Sequence, residues 1–275
     1  MYTFKDFVRR YKKLMGEAAR MRLPSNIVSP QWPLVSDAVR VLIVSAHPDD
    51  EILTGMPLGL RYRERGYRVV NVAVTLGRPE QVDRRRTELE GACAYLGIEL
   101  RVPLETGLRA HIKSNDSDAW QVAMEAVRAI VAEIRPQVVI THHEDDGHPD
   151  HCATFRLTRD AMGGIENFGC LFITGEYWRD MSTPNLQLEV SPEHLVHLLN
   201  ALSFHRGELE RNRYDIFWPS LMHLNGRYSE VVMGFGSPAA QFDFSVLYTI
   251  YDFREGSLYR RRESIQCAAY DGIIE

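Results

Sequence analysis

The chain has 275 residues, 45% hydrophobic and 25% charged, a composition that suits one large globular domain with a real core and excludes intrinsic disorder. A formal net charge of -5 with basic residues scattered along the sequence leaves no field for nucleic acid, so a small-molecule substrate is the expected partner. Four cysteines far apart, Cys93, Cys152, Cys170 and Cys267, form no CxxC pair and exclude both a disulfide framework and a thiolate zinc knuckle.

Residues 1–22 place Phe4, Phe7, Val8, Tyr11, Leu14, Met15, Ala18 and Met21 at three- and four-residue spacing with Lys and Arg between, which predicts an amphipathic helix. Its apolar stripe is expected to dock on its own domain or on a second copy in a homo-oligomer, although the same pattern would suit an anionic membrane surface. The stretch lacks the unbroken apolar core of a signal peptide, and nothing in the chain approaches the ~20 apolar residues of a membrane span. The cytoplasm is therefore the expected location. Residues 23–36, with Pro24, Pro30 and Pro33, read as an extended linker, so that 1–39 forms a lead and 40–275 a single domain.

Residues 40–46 form a β-branched run typical of a strand buried on both faces, and 51–66 a helix. Strands at 69–75, 98–103 and 137–141 alternate with helices at 81–97 and 118–135. Further on come a strand at 171–174, a helix at 192–213 and strands at 231–235 and 245–251. Repeated strand-helix alternation predicts an α/β fold of Rossmann-like type, a mostly parallel sheet with helices on both faces.

Two matching strings follow buried strands: His47-Pro48-Asp49-Asp50-Glu51 and His148-Pro149-Asp150-His151. Ligands of an open parallel sheet collect outside the carboxyl ends of its strands, so both corners can face one crevice. Each proline suits the first turn of a helix, and the i, i+3 pairs His47/Asp50 and His148/His151 then project on a common side. Acids at helix starts are commonly caps and histidines often packed core, but two such corners together argue for chemistry. A catalytic zinc wants three N/O ligands and one open position, which His47, Asp50 and His151 would supply for a single Zn2+. Asp49 is then the expected general base for a water whose pKa the metal lowers. His148, if protonated, would stabilise the oxyanion, with Asp150 fixing its tautomer and raising its pKa. Either Asp49 or His148 could protonate the leaving amine.

These strings resemble those of the PIG-L/LmbE-like de-N-acetylases, and the resemblance extends through Arg85-Arg86-Thr87-Glu88, Leu96-Gly97 and, more loosely, Ala201-Leu202-Ser203-Phe204-His205 and Tyr228-Ser229-Glu230. It implies a Rossmann-like fold, zinc, and hydrolysis of N-acetyl groups on glucosamine-type substrates, with the same ligands, base and oxyanion residue. Where some relatives carry a tyrosine before the second motif this chain has Asp146, within the acidic run Glu144-Asp145-Asp146. That run makes an amine-rich substrate, such as an N-acetylated aminoglycoside precursor, one expectation. Arg85, Asp146 and His205 are candidate substrate contacts, Arg85 for hydroxyls or a phosphate. The alternatives are a metal-dependent amidase for another small amide, such as a thiol conjugate, and a non-catalytic nucleotide-binding module. The latter would want glycines where HPDDE places carboxylates.

Overall fold

The computed structural model describes residues 2–112, 116–238 and 240–268, so residues 269–275 of the expected 40–275 domain lie outside the described residues. A nine-stranded sheet runs through the molecule in the order β3-β2-β1-β4-β5-β7-β6-β9, with β8 paired to β7. Its strands are β1 (Ser36–Ser45), β2 (Tyr67–Ala73), β3 (Glu99–Arg101), β4 (Val138–His142), β5 (Cys170–Gly175), β6 (Leu186–Glu189), β7 (Ser245–Arg254), β8 (Ser257–Arg260) and β9 (Ile265–Cys267). The first five pair in parallel, as expected. β7 then adds antiparallel to β5 and to β6.

Why β1 sits at the centre follows from its sequence. Side chains alternate across a strand, and here both sets are apolar: Val41 and Ile43 enter one core cluster and Leu42 and Val44 the other, each at most 1% exposed. At about 1.5–3 kcal/mol per buried aliphatic side chain, only a central strand satisfies both faces. Helices α2 (Met56–Glu64), α3 (Val82–Leu96) and α7 (Pro192–Leu202) cover one face, while α5 (Ser117–Ile134) and α6 (Pro149–Gly163) cover the other. From β1 the chain runs outward to β2 and β3, then returns to β4 on the opposite side. The carboxyl ends of β1 and β4 are therefore neighbours at the point where the strand order reverses, the place where such sheets open a crevice.

The linker is held by Trp32, whose indole N–H donates to the Tyr95 carbonyl at 2.8 Å. Helix α1 (Phe4–Ala18) is present and opened by a Thr3/Asp6 capping box, but none of its residues is buried. Docking of its stripe on its own domain is not observed. Arg213 instead holds the carbonyls of Ala18 and Ala19 at the helix end, at 3.3 and 3.2 Å.

Other expectations are corrected. Residues 231–235 are not a strand: the helix α10 (Ser229–Met233) tucks Val232 against Met181 and Leu247. The apolar run Val231–Met233 is too short to carry a period, so type there is set by packing. The helix expected over 192–213 is broken. It ends at Leu202 and restarts as α8 (Arg206–Arg211), because His205 leaves helical geometry and turns its ring inward. A further helix, α9 (Tyr214–Leu224), and the strands β6, β8 and β9 were not expected.

The helix after the first corner begins as one wide π turn (Glu51–Gly55) before α2. Gly55 lets this turn lie directly on β1, since a Cβ there would stand 2.4 Å from Ile43 Cγ2. Gly55→Ala should destabilise the fold by about 1–3 kcal/mol through overpacking. A urea midpoint equal to the parent's would show that the turn can lift off the strand.

Candidate active site

Both corners meet. Asp50 Oδ2 lies 3.1 Å from His47 Nδ1 and 3.3 Å from His151 Nε2, joining residues about a hundred positions apart at the ends of β1 and β4. The second corner is built as the sequence implies, with Pro149 in the first turn of α6 and His148 as its N-cap. The first is not. Pro48 lies in a turn ahead of the helix, and Asp49 between them has φ 109°, a region costly for any residue with a Cβ.

Glu51 holds that turn. Its Oε2 accepts the Asp49 N–H at 2.9 Å, and its Oε1 lies 2.7 Å from His205 Nε2. Glu51 and His205 are both fully buried, 0% exposed. His205 thus has no face to offer a substrate; burial disfavours its charge, but Glu51 pulls its pKa upward. Asp146 is likewise corrected: it is 0% exposed and stands behind His151, with Oδ1 2.7 Å from Nδ1. Its other oxygen accepts the backbone N–H groups of Tyr177 and Trp178 at 3.1 and 3.4 Å. A carboxylate behind a ligand-type histidine orients the ring and presents Nε2 forward.

Asp150 is also placed differently from expectation. Its carboxylate lies 3.0 Å from His47 Nε2, not on His148. What fixes the His148 tautomer is the Asp150 backbone N–H, which donates to His148 Nδ1 at 3.2 Å and leaves the proton on Nε2. Burial and the neighbouring His47 and His151 lower the His148 pKa, which favours the neutral ring.

His142, which the sequence reading passed over, closes β4 beneath the site. Its ring stacks on His151 with centroids 3.8 Å apart, and burial drives its pKa down to about 3. The signal was present in the doubled histidine at the strand end, masked by the longer motif after it. Burial opposes charge on His151, yet Asp50 and Asp146 raise it to about 10. Burial first, and Asp50 second, push Asp49 up to about 7, whereas the surrounding imidazoles hold Asp50 well below the usual carboxylate range despite its burial.

Two overlapping trios bring ligand atoms within 4.8 Å of one another, His47/His148/His151 and Asp50/His142/His151. Hydrogen bonds separate their members. His142 Nε2 already accepts the Ala46 N–H at 3.2 Å, and His148 Nδ1 is taken by Asp150. His47 is engaged as well, by Asp50 at Nδ1 and Asp150 at Nε2, so a cation shared by His47, Asp50 and His151 would take the place of the His47–Asp50 contact. Two imidazoles and a carboxylate around one point fit a divalent cation of the zinc type.

The cleft above has a volume of about 430 Å³. One wall carries Tyr177, Trp178 and Tyr214, in edge-to-face contact at 5.5–6.4 Å. Arg85 also lines the cleft, with Nη2 3.0 Å from Glu208 Oε1. Glu144 and Asp145 face a separate pocket, so the acidic run does not line the cleft. Among the described residues no helix is long and apolar enough to cross a membrane.

Residues 42–162 match the PIG-L family model, described as GlcNAc-PI de-N-acetylase. The 1D-myo-inositol 2-acetamido-2-deoxy-alpha-D-glucopyranoside deacetylase of Thermobifida fusca is 36% identical over 45% of this chain and 54% of its own length. The enzyme of that name from Streptomyces scabiei is 32% identical over 51% and 53%. The chain thus spans about half the length of the curated relatives it matches. Among solved structures, N,N'-diacetylchitobiose deacetylase from Pyrococcus horikoshii superposes with TM-score 0.56 at 18% identity, covering 93% of this chain and 94% of that one. The 4-carboxy-2-hydroxymuconate hydratase from Pseudomonas putida gives 0.60 at 17% identity over 78% and 97%. Likeness at these identities shows the fold alone, and the fold hosts more than one chemistry.

His205 lies beyond the matched segment, so its strut with Glu51 is tested on this chain directly. Removing one partner of a buried pair strands the other charge. His205→Leu should lose about 3–5 kcal/mol in urea denaturation, and the double variant His205→Leu/Glu51→Leu should recover part of it. A single variant as stable as the parent would show that the pair carries no stability.

Proposed function

We propose, on the premise that residues 42–162 belong to the PIG-L de-N-acetylase family, that this protein is a zinc-dependent hydrolase removing the N-acetyl group of an amino-sugar substrate. One observation carries the proposal: His47 Nδ1 and His151 Nε2 converge on Asp50 Oδ2 at 3.1 and 3.3 Å with Asp49 beside them. In this proposal His47, Asp50 and His151 hold the metal. When bound there, a zinc ion would make water acidic near neutral pH and polarise an amide carbonyl.

The remaining chemistry is assigned to the chain's own groups. Asp49, kept by its positive φ and the Glu51 strut from turning into the helix, takes the proton of the attacking water. His148 is a neutral donor: with Nδ1 occupied, its one proton on Nε2 is aimed at the carbonyl oxygen as charge develops there. That proton is committed to the oxyanion. In this reading the proton Asp49 has gained is the one returned to the leaving amine. Asp150 holds His47, and Asp146 holds His151. The Tyr177, Trp178 and Tyr214 wall offers apolar ring surface to the face of a sugar. Support for the amino-sugar class comes from the names of the relatives, which act on acetamido-deoxy-glucopyranoside and chitobiose substrates.

Acetate release from N-acetyl amino sugars is the direct test. Chelation should abolish it and added zinc restore it. Asp49→Asn should retain the metal and lose about 10²–10⁴-fold in kcat, whereas His47→Ala and His151→Ala should lose metal and activity together. Parental turnover by Asp49→Asn would remove the aspartate from the role of base.

A further inference from the structure

His205 serves the fold twice. Its carbonyl accepts the N–H groups of Glu208 and Leu209, both at 3.1 Å, and so starts α8, whose Gly207, Glu208 and Arg211 line the cleft. Its ring reaches the first corner, where Nε2 stands 2.7 Å from Glu51 Oε1. The other oxygen of Glu51 accepts the Asp49 N–H at 2.9 Å, while the Asp49 carbonyl accepts from Ile52 and Leu53 at 3.1 and 3.0 Å. Asp49 is thus held through both of its own backbone groups at φ 109°. Stability alone gives no reason for the arrangement. A buried ionic pair exchanged for apolar residues of similar volume is often neutral or stabilising. His205 Nδ1 also has no hydrogen-bond partner among the described residues, a cost that an aliphatic side chain would avoid. What an aliphatic pair cannot do is accept the Asp49 N–H. Asp49 is itself buried and sits in a strained backbone region, so a turn without that acceptor gains by relaxing and carries the carboxylate with it.

We infer that His205 is a positioning residue for the reaction: it clamps the Glu51 carboxylate, and through it the backbone of Asp49, in the geometry from which the base works. The inference rests on the deacetylase proposal and adds to it a residue beyond the family-matched segment 42–162. A carboxylate tethered at one oxygen still turns about its side-chain bonds. Tethered at both, Glu51 presents a fixed acceptor to the Asp49 N–H. Because the same histidine starts α8, the base and the cleft wall are also set against each other. Turnover depends steeply on such placement, since misplacing a reacting group by about 1 Å costs on the order of 10²-fold.

The test sets turnover against stability in the zinc-loaded full chain, assayed on an N-acetyl amino sugar well below the lowest unfolding midpoint. The double variant His205→Leu/Glu51→Leu, which recovers part of the stability lost in His205→Leu, should not recover turnover. Its kcat should stay about 10- to 100-fold below the parent's, with zinc content unchanged and KM near the parent's, the signature of a lost placement rather than lost binding. His205→Gln, whose amide N–H can replace Nε2–H on Glu51, should bring kcat back to within about threefold of the parent's. Amide hydrogen exchange supplies a readout that needs no substrate. The Asp49 N–H should exchange about tenfold faster in the double variant, the size of one net hydrogen bond, and at the parent's rate in His205→Gln. Parental kcat in the double variant, or an Asp49 amide that exchanges no faster there, would overturn the inference and leave the pair a matter of folding alone. So would a His205→Gln chain as slow in turnover as the double variant while its Asp49 amide stays protected, since the tether would then be intact without its effect. If the parent releases no acetate, the deacetylase proposal fails instead, and amide exchange alone decides whether His205 holds this turn.

Discussion

A carboxylate sealed from water among imidazoles is the interaction on which the rest of the site depends. Asp50 is 3% exposed, and its Oδ2 stands within 3.6 Å of His47, His142 and His151. An ionised carboxylate cannot be buried alone, since the loss of hydration costs several kcal/mol even after relaxation. His47 and His151 supply compensation, and the sheet supplies the rings. Because β1 and β4 are adjacent and parallel with the strand order reversing between them, two loops distant in sequence leave the sheet side by side. The rings are in turn fixed from behind by Asp146 and Asp150, so acids and histidines alternate outward from the centre. Such a network tolerates little displacement, because every member neutralises another.

Much of the fold was legible because the parallel half announces itself locally. A strand buried on both faces reads as a continuous aliphatic run, and residues 40–46, 69–75 and 137–141 do so. The far half of the sheet gives a weaker signal: β6, β8 and β9 are three or four residues long, and their type is decided by pairing, of β6 and β8 with β7 and of β9 with β6. The break at His205 was hidden for a related reason. Its ring is drawn inward by Glu51, a partner 154 positions away that no local pattern encodes.

At the site, the residues that meet were legible but their partners were not. Motif spacing brought His47, Asp50, His148 and His151 together on paper, yet it assigned Asp150 to His148 and Asp146 to a substrate. Both depend on which nitrogen faces which oxygen, a matter of rotamers and backbone turns.

The conformation of Asp49 has an evolutionary consequence. At φ 109° a glycine would sit without strain, so backbone energetics favour glycine at a position where this chain keeps an acid. The fold accordingly gives up some robustness at one residue. With Asp49 in the proposed role of base, a search for heat-resistant variants that ignored turnover would drift toward glycine at this spot and reward inert proteins, so durability and usefulness would be selected in opposite directions there.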